Sequence, residues 1–486
     1  MAVEGTQSIF KKTWILMMWH VNVSFLVSAE YINLIVISNL IWPGEPPHML
    51  EMGAMITFRL WVDGLMALLW GFLVDRLPRK TLFSINATVT GGLVFLNATL
   101  PVGGGINHYL IWLFTRMCIG AFMSGGGPNI QSLSNDLLQS NQRSQFFGNM
   151  AIAWNGLQVA GMILSAFLFS LGFWRFFYII SGSLFIIQGM LLLFWFKEPK
   201  RASGHESFKQ LFGEMDVNYK YKLNKDTIKE TIFSKTNMLV FVEGIFTSIL
   251  FGIIDLISLP YIQSEPRNIS PFASSIFMLI FGVPGVLVGS LLFAKVSDKF
   301  GAKNLKNRIY LIIFSLLSAM IMIFIAFSLP LPTFSIEEGA NIPFLMGVVF
   351  SNGIFLLFGI VMFFMRSLFS IYATNQPPII QEINLPEAQG QIASWNQLVE
   401  IFSYGAGPLL AGSVLSFLNN DYQLSIQIIS LIALPGITMW FLALRWIEND
   451  KNRIKKILET RVKEMRSANK LKKTLDSNPT YPTKRT

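Results

Sequence analysis

The chain has 486 residues, of which 52% are hydrophobic and only 14% charged, with 43 Phe and a formal net charge of +10. A soluble protein of this size carries about 25% charged residues, so the composition argues against a water-solvated globule and for a lipid bilayer as solvent. The basic surplus does not point to nucleic acid, because Lys and Arg collect at the ends and between apolar runs, where membrane orientation accounts for them. A single cysteine, Cys118, excludes an internal disulfide and a cysteine metal site.

In chain order, a short start ending in Lys11-Lys12 leads into an apolar run over residues 14–41. The run is too long for a signal-peptide core and no small-residue cleavage site follows, so it predicts an uncleaved first span that begins on the inside. The connection over 42–53 carries only Glu45, His48 and Glu51 as ionisable groups, as an outside loop would, and a second span covers 54–74. Residues 71–80 then read Gly-Phe-Leu-Val-Asp-Arg-Leu-Pro-Arg-Lys. Positive charge holds such a turn on the cytoplasmic side, and Asp75 at the end of the span can pair with an arginine or a helix N-terminus. A clasp of that kind can form in one conformation and break in another.

This stretch resembles the signature loop of the major facilitator superfamily, matching it at Gly71, Asp75, Arg76, Arg79 and Lys80 and departing at Pro78, where the family usually has Gly. Residues 294–303 echo it, placing Asp298, Lys299 and Gly301 where Asp75, Arg76 and Pro78 stand, about half the chain later. Trp154-Asn155-x-Leu157 likewise recurs as Trp395-Asn396-x-Leu398. Two echoes in the same order indicate duplication, and parallel repeats of six spans are how that superfamily is built. The Asp-Arg-x-x-Arg-Lys loop and the general layout also resemble the spinster-like group. The acidic residue that group often shows in span four is absent between Phe122 and Gly127, and the Gly-Pro pair of drug antiporters is absent from span five.

Further spans are predicted over 81–100, 109–127, 146–171 and 174–196, the last ending in Lys197-Glu198-Pro199-Lys200-Arg201, an inside boundary by charge. Residues 197–236 change abruptly to mixed charge and are too short for an independent core, although 208–215 could form a surface helix. Spans over 237–261, 271–296, 308–329, 343–369, 391–418 and 422–446 repeat the plan. The expected fold is an all-α membrane protein of twelve transmembrane helices in two pseudo-symmetric six-helix halves, 1–196 and 237–446. A connector (197–236) joins them and a basic tail (447–486) follows. Basic inside loops place both termini in the cytoplasm of a cell-membrane protein. The tail has apolar residues at helical spacing and suits an anionic inner leaflet; no nucleic-acid module accompanies its charge.

Ionisable residues inside spans cost about 2.5 to 3.5 kcal/mol each to insert, so each is a candidate. Glu30 shares a helix sector with Asn22, Ala29 and Asn33, and reads either as a coupling or substrate-binding group or as half of a buried structural pair. The segment around it resembles the acidic position on the first span of many proton-coupled facilitators. Arg116 opens an Arg-x-x-x-Gly segment that resembles the superfamily's fourth-helix motif, and a buried guanidinium needs a carboxylate; the resemblance makes Glu30 its natural partner. Asp255 lies in the seventh span at nearly the depth of Glu30 in the first. Glu243, Glu400, Asn155 and Gln158 complete a polar set available to a central cavity, or to span-to-span hydrogen bonding. Arg59 and Asp63, four apart, can pair with each other, and Arg366 reads as a boundary residue reaching for the interface.

The four histidines are scattered with no His-x-x-x-His set, and no Gly-x-x-x-x-Gly-Lys loop is present. The sequence therefore predicts no enzyme, cofactor, metal site or ATP-driven pump. It predicts a monomeric secondary carrier that moves a small organic solute by alternating access among membrane lipids. Proton coupling is favoured over sodium because a lone carboxylate beside an arginine titrates simply. A receptor or scaffold of the same fold without flux, and a lipid or drug exporter, remain the alternatives.

Overall fold

A computed structural model describes residues 2–138, 140–199, 233–301, 303–385 and 388–476. The connector segment 201–232, including the expected surface helix at 208–215, and the side chains of Asp75, Asn155 and Asp298 lie outside the described residues. Everything regular among the described residues is helical, as bilayer burial demands: with no water to satisfy N–H and C=O groups, each apolar segment must close its own hydrogen bonds.

The helices are α1 (Ala2–Ile32), α2 (Leu34–Ile41), α3 (Met49–Arg76), α4 (Arg79–Leu96), α5 (Gly105–Met123), α6 (Gly126–Leu137), α7 (Ser140–Ser170) and α8 (Trp174–Phe194). After the connector come α9 (Lys235–Gln263), α10 (Pro271–Phe277), α11 (Val283–Val288), α12 (Ala294–Gly301), α13 (Leu305–Ser328), α14 (Ile336–Ala340), α15 (Ile342–Ser351), α16 (Gly353–Glu382), α17 (Gln389–Phe417), α18 (Tyr422–Ser430) and α19 (Ala433–Asp476). Among the described residues, eleven stretches are long and apolar enough to cross a membrane; in α7 the apolar part is the shorter 156–170. The chain is a multi-pass membrane protein.

Local chemistry explains the breaks. The first apolar run is two helices parted at Asn33, whose side chain and backbone N–H share the Ala29 carbonyl at 3.0 and 3.3 Å. The eighth span stays helical from Pro271 to Gly301 but passes through two π turns, Met278–Gly282 and Gly289–Phe293. Pro284 sits just after the first; it lacks an N–H and its ring crowds the carbonyl four residues back, which a wider turn relieves. The tenth span differs from expectation: the run splits at Asn352, whose side chain caps α16, and α16 continues through Pro377-Pro378 to Glu382. The last span breaks between Ser430 and Ala433, and the expected start of the tail at 447 falls inside the continuous helix α19.

Without a hydrophobic drive between helices in lipid, close packing and interhelical hydrogen bonds hold the bundle. Gly91 of α4 and Gly182 of α8 face each other so closely that a Cβ on either would stand 2.7 Å from the other's carbonyl oxygen. Asn22 of α1 donates to Gln188 of α8 at 2.9 Å, and Asn237 and Asn384 exchange bonds of 2.6 and 3.0 Å.

Contacts between the first and second helix sets gather at one end. Thr57 and Trp61 of α3 donate to the carbonyls of Gly405 and Phe402 of α17 at 2.6 and 3.0 Å, and Gln263 of α9 donates to Ile32 at 3.0 Å. Further along the same two helices, Leu68, Phe72 and Trp395 are at least half exposed.

Candidate functional site

Glu30 of α1 is the centre of a buried cluster. Its Oε1 accepts from Arg116 Nη1 of α5 at 2.6 Å, its Oε2 lies 3.2 Å from Arg59 Nε of α3, and Arg116 Nη2 donates to Tyr178 of α8 at 2.7 Å. All four side chains are nearly inaccessible. One carboxylate between two guanidiniums leaves the group with a surplus positive charge. The Tyr178 ring, 5.3 Å from the Arg116 guanidinium carbon, faces part of that charge. Gly120, one turn after Arg116, lets α5 reach α3: a Cβ there would stand 2.6 Å from the Arg59 carbonyl oxygen. The Arg-x-x-x-Gly spacing thus delivers the arginine and the close approach together.

A second acid–arginine pair stands on the other helix set. Asp255 of α9 accepts from Arg366 of α16 at 2.9 Å and from the Tyr404 hydroxyl of α17, also at 2.9 Å; Tyr404 in turn lies 3.3 Å from the Tyr31 hydroxyl of α1. This pair keeps access to solvent, with side-chain exposures of 20% for Arg366 and 29% for Asp255. The interface role read for Arg366 is therefore corrected. Because α16 runs from Gly353 to Glu382, Arg366 is near its middle and needs a carboxylate, where the expected span ending at 369 would have placed it at a boundary.

Between the two pairs lies a cavity of about 520 Å³. Arg59, Asp63, Gln158, Asp255, Arg366 and Tyr404 supply much of its polar lining, and Val27, Met123, Met162, Leu259, Met278 and Val286 much of its apolar surface. Arg59 and Asp63 do not pair with each other, as their spacing had suggested; the ion-pair partner of Arg59 is Glu30. Glu30 and Arg116 stand one layer behind the wall, with Arg59 linking them to the cavity.

Other sequence candidates fall elsewhere. Asn33 is fully buried against α7, donating to Ser165 at 3.1 Å, and Asn22 is committed to Gln188. Glu400 is one helical turn from the cavity residue Tyr404 and accepts from Asn396 at 2.6 Å. Glu243 is fully buried and accepts from Thr247 and Tyr372. Among the described residues no group of His, Cys, Asp and Glu is placed to hold a metal.

At the far ends of the helices, Arg79 is almost wholly buried. It donates to Asp136, Ser132, Glu198 and the Pro199 carbonyl. Glu198 also accepts from the backbone N–H groups of Arg79 and Lys80 at 3.1 and 3.2 Å, so its carboxylate caps α4 where the helix dipole favours negative charge. Partial burial works against ionisation of Glu198, but the hydrogen bonds from Arg79 and the two backbone donors outweigh it and hold the carboxyl below its usual range. Glu198 had been read only as part of a charge boundary; the signal for it was an acid within reach of an Arg-Lys helix start. Pro78 fits this turn, since it precedes the first helical residue and withholds no bonded N–H. Arg76 covers the Phe72 ring at 3.7 Å and Gly71 has open space around it. In the second loop Lys299 is exposed, and Gly301 lies against Arg308, which donates to Asn375 at 3.3 Å.

A family model described as the Major Facilitator Superfamily matches residues 23–379. The structure is similar to that of a bacterial homolog of the human lysosomal transporter Spinster, solved inward-facing and occupied: 13% identity over 90% of this chain and 98% of that one, TM-score 0.66. It is also similar to a D-xylose–proton symporter, with 15% identity, coverages of 89% and 97% and TM-score 0.62. For a nucleoside transporter the values are 15%, 88% and 98%, and 0.59. At such identities the likeness concerns the fold alone. No curated protein sequence matches the chain.

Proposed function

The chain belongs to the Major Facilitator Superfamily, and from that membership we propose that it is a secondary carrier moving a small organic solute through the cavity between α3, α9 and α16. The observation that carries this reading is a central cavity whose charged groups come from both helix sets, closed at one end by the α3–α17 contacts. The carrier halves are 1–196 and 237–446, joined by the connector 197–236, with 447–486 as a cytoplasmic tail. With both termini cytoplasmic, as the basic loops indicate, the closed end faces outward and the cavity opens inward. Rocking the halves about the cavity would then expose it to the other side.

Proton coupling runs through Glu30. Neutralising it would leave Arg59 and Arg116 with no counter-charge between them in a low-dielectric layer, driving the two guanidiniums apart and turning Arg59 toward the cavity. Arg79, Asp136 and Glu198 clasp the inner ends in this state, and Arg76, Lys80 and the second loop at Asp298, Lys299 and Gly301 belong to the same gating region. The test is flux in proteoliposomes under an imposed pH gradient, reading internal pH as solutes are added. Solute-dependent proton movement that Glu30→Gln abolishes supports the coupled carrier. Solute flux without proton movement removes the coupling, and proton-linked flux unchanged in Glu30→Gln removes Glu30 from it. A receptor of the same fold would move no solute at all.

A further inference from the structure

We propose that the cavity selects a small zwitterion, its carboxylate docking on Arg59 and its ammonium on Asp63, with an apolar body against Met162, Met278 and Leu259. The inference rests on the carrier reading above and names the solute class.

Among the described residues, four ionisable carboxylate and guanidinium groups line the cavity: Arg59, Asp63, Asp255 and Arg366. They balance, two against two, so that Asp63 offsets the surplus positive charge Arg59 brings to the Glu30–Arg116 pair behind them. A ligand of net charge would enter a low-dielectric space with no surplus of the opposite sign to receive it. A ligand with separated but equal charges leaves nothing over. The poles are also distinguishable by what already occupies them. Asp255 is engaged by Arg366 and Tyr404. Arg59, by contrast, makes no hydrogen bond among the described residues although its side chain is 3% exposed, and its one ion pair runs from Nε to Glu30. Asp63 makes neither a hydrogen bond nor an ion pair among the described residues. Arg59, ion-paired yet without a hydrogen bond, and Asp63 stand one helical turn apart on α3 and are not within ion-pair distance of each other.

A buried guanidinium and a carboxylate left in that condition are costly unless a ligand completes them. An ammonium and a carboxylate a few ångströms apart do so simultaneously: the planar donor fork suits a carboxylate, and Asp63 accepts from an N–H donor. A phosphate monoester, at about −1.5 to −2 charge, would overfill the Arg59 pole, whereas a phosphodiester would not. The same chemistry therefore occurs in a free apolar amino acid and in the head group of an ethanolamine lysolipid. A quaternary ammonium has no N–H to give Asp63.

The test uses the full chain in lipid nanodiscs, titrated calorimetrically with L-leucine, N-acetyl-leucine, leucine amide and lysophosphatidylethanolamine. Leucine should bind about tenfold or more tightly than either singly charged derivative. Asp63→Asn should weaken the zwitterion by about tenfold or more and reverse its advantage over N-acetyl-leucine, and Asp63→Glu should restore the order. Binding of the lysolipid with leucine silent, and the same response to Asp63→Asn, sustains the site and assigns it to a lipid head group. The proposal is overturned by a singly charged derivative that binds as tightly as the zwitterions, by selectivity unchanged in Asp63→Asn, or by neither zwitterion binding. Should Asp63→Asn fail to fold, the ranking of the four probes on the unmodified protein decides. Zwitterion binding without flux would remove the carrier reading and keep the site; flux of a singly charged solute, indifferent to Asp63→Asn, would do the reverse.

Discussion

The two acid–arginine pairs are built from the same parts in corresponding places and live in different surroundings. Glu30 and Arg116, on the first and fourth spans, have side chains 6% and 1% exposed and share the carboxylate with Arg59. Asp255 and Arg366, on the seventh and tenth, face the cavity and are bridged to the first set through Tyr404 and Tyr31. The first pair cannot be exchanged for water, so removing a partner leaves an uncompensated buried charge. The second can be resolvated, and a ligand can compete for it. Duplication supplied a common frame, and burial separates a pair shielded from the solute and linked to the cavity only through Arg59 from one that can meet the solute directly.

The largest test of that contrast is Glu30→Ala, which strands two guanidiniums and should cost about 3 to 5 kcal/mol, read as a steep fall in Tm by intrinsic fluorescence. Arg116→Ala should cost less, because Arg59 still faces Glu30. Next, Gly120→Ala should cost about 1 to 3 kcal/mol through overpacking against the Arg59 backbone; an unchanged Tm would mean that α5 can back away from α3. Asp255→Asn should cost about 1.5 kcal/mol while abolishing flux, and exchanging the two partners, Asp255→Arg with Arg366→Asp, should recover the Tm. Equal destabilisation by Glu30→Ala and Asp255→Asn would erase the comparison. Tyr404→Phe removes one donor from Asp255 and should shift stability by about 0.5 to 1.5 kcal/mol. The smallest effect belongs to the exposed-end clasp. Since Glu198 is held below its usual carboxylate range, its contribution is complete above the unfolded value of about 4.3 and is lost as pH falls through the lower folded value. Tm plotted against pH should therefore drop less for Glu198→Gln than for the unmodified chain in that acid window.

Much of this was legible in the sequence for physical reasons. Apolar runs of span length leave helices as the available solution; a lone arginine in such a run demands an acid, and it was the resemblance to the superfamily that pointed to Glu30 as that acid. The position of Asp255 followed from the internal repeat. What escaped was geometry that spacing does not encode. Arg59 and Asp63 are four apart and compatible with pairing, yet Glu30 from another helix reaches Arg59 instead. Arg366 was misread because hydropathy faded before the helix did: the polar stretch from Ser367 to Gln381 looks like a boundary, but Asn375 and Gln376 are buried against neighbouring helices. The cap supplied by Glu198 spans 119 positions to Arg79, beyond any local motif. Asn33, in the same helical sector as Glu30, turns to Ser165 of α7 and not to the cavity, a choice of neighbour that helical spacing does not encode.

The first π turn of the eighth span lies along the cavity, with Met278 and Gly282 among the lining residues, and the second follows just beyond the lining residue Leu287. A π turn holds one more residue than the α turn it replaces, so tightening one rotates everything beyond it by about 100 degrees without shifting the ends of the helix much. That wall therefore contains one stored increment of rotation, in the turn Met278–Gly282. Releasing it would change which of Val286, Leu287 and their neighbours present themselves to a solute, as a combination lock shows a new digit without leaving its housing.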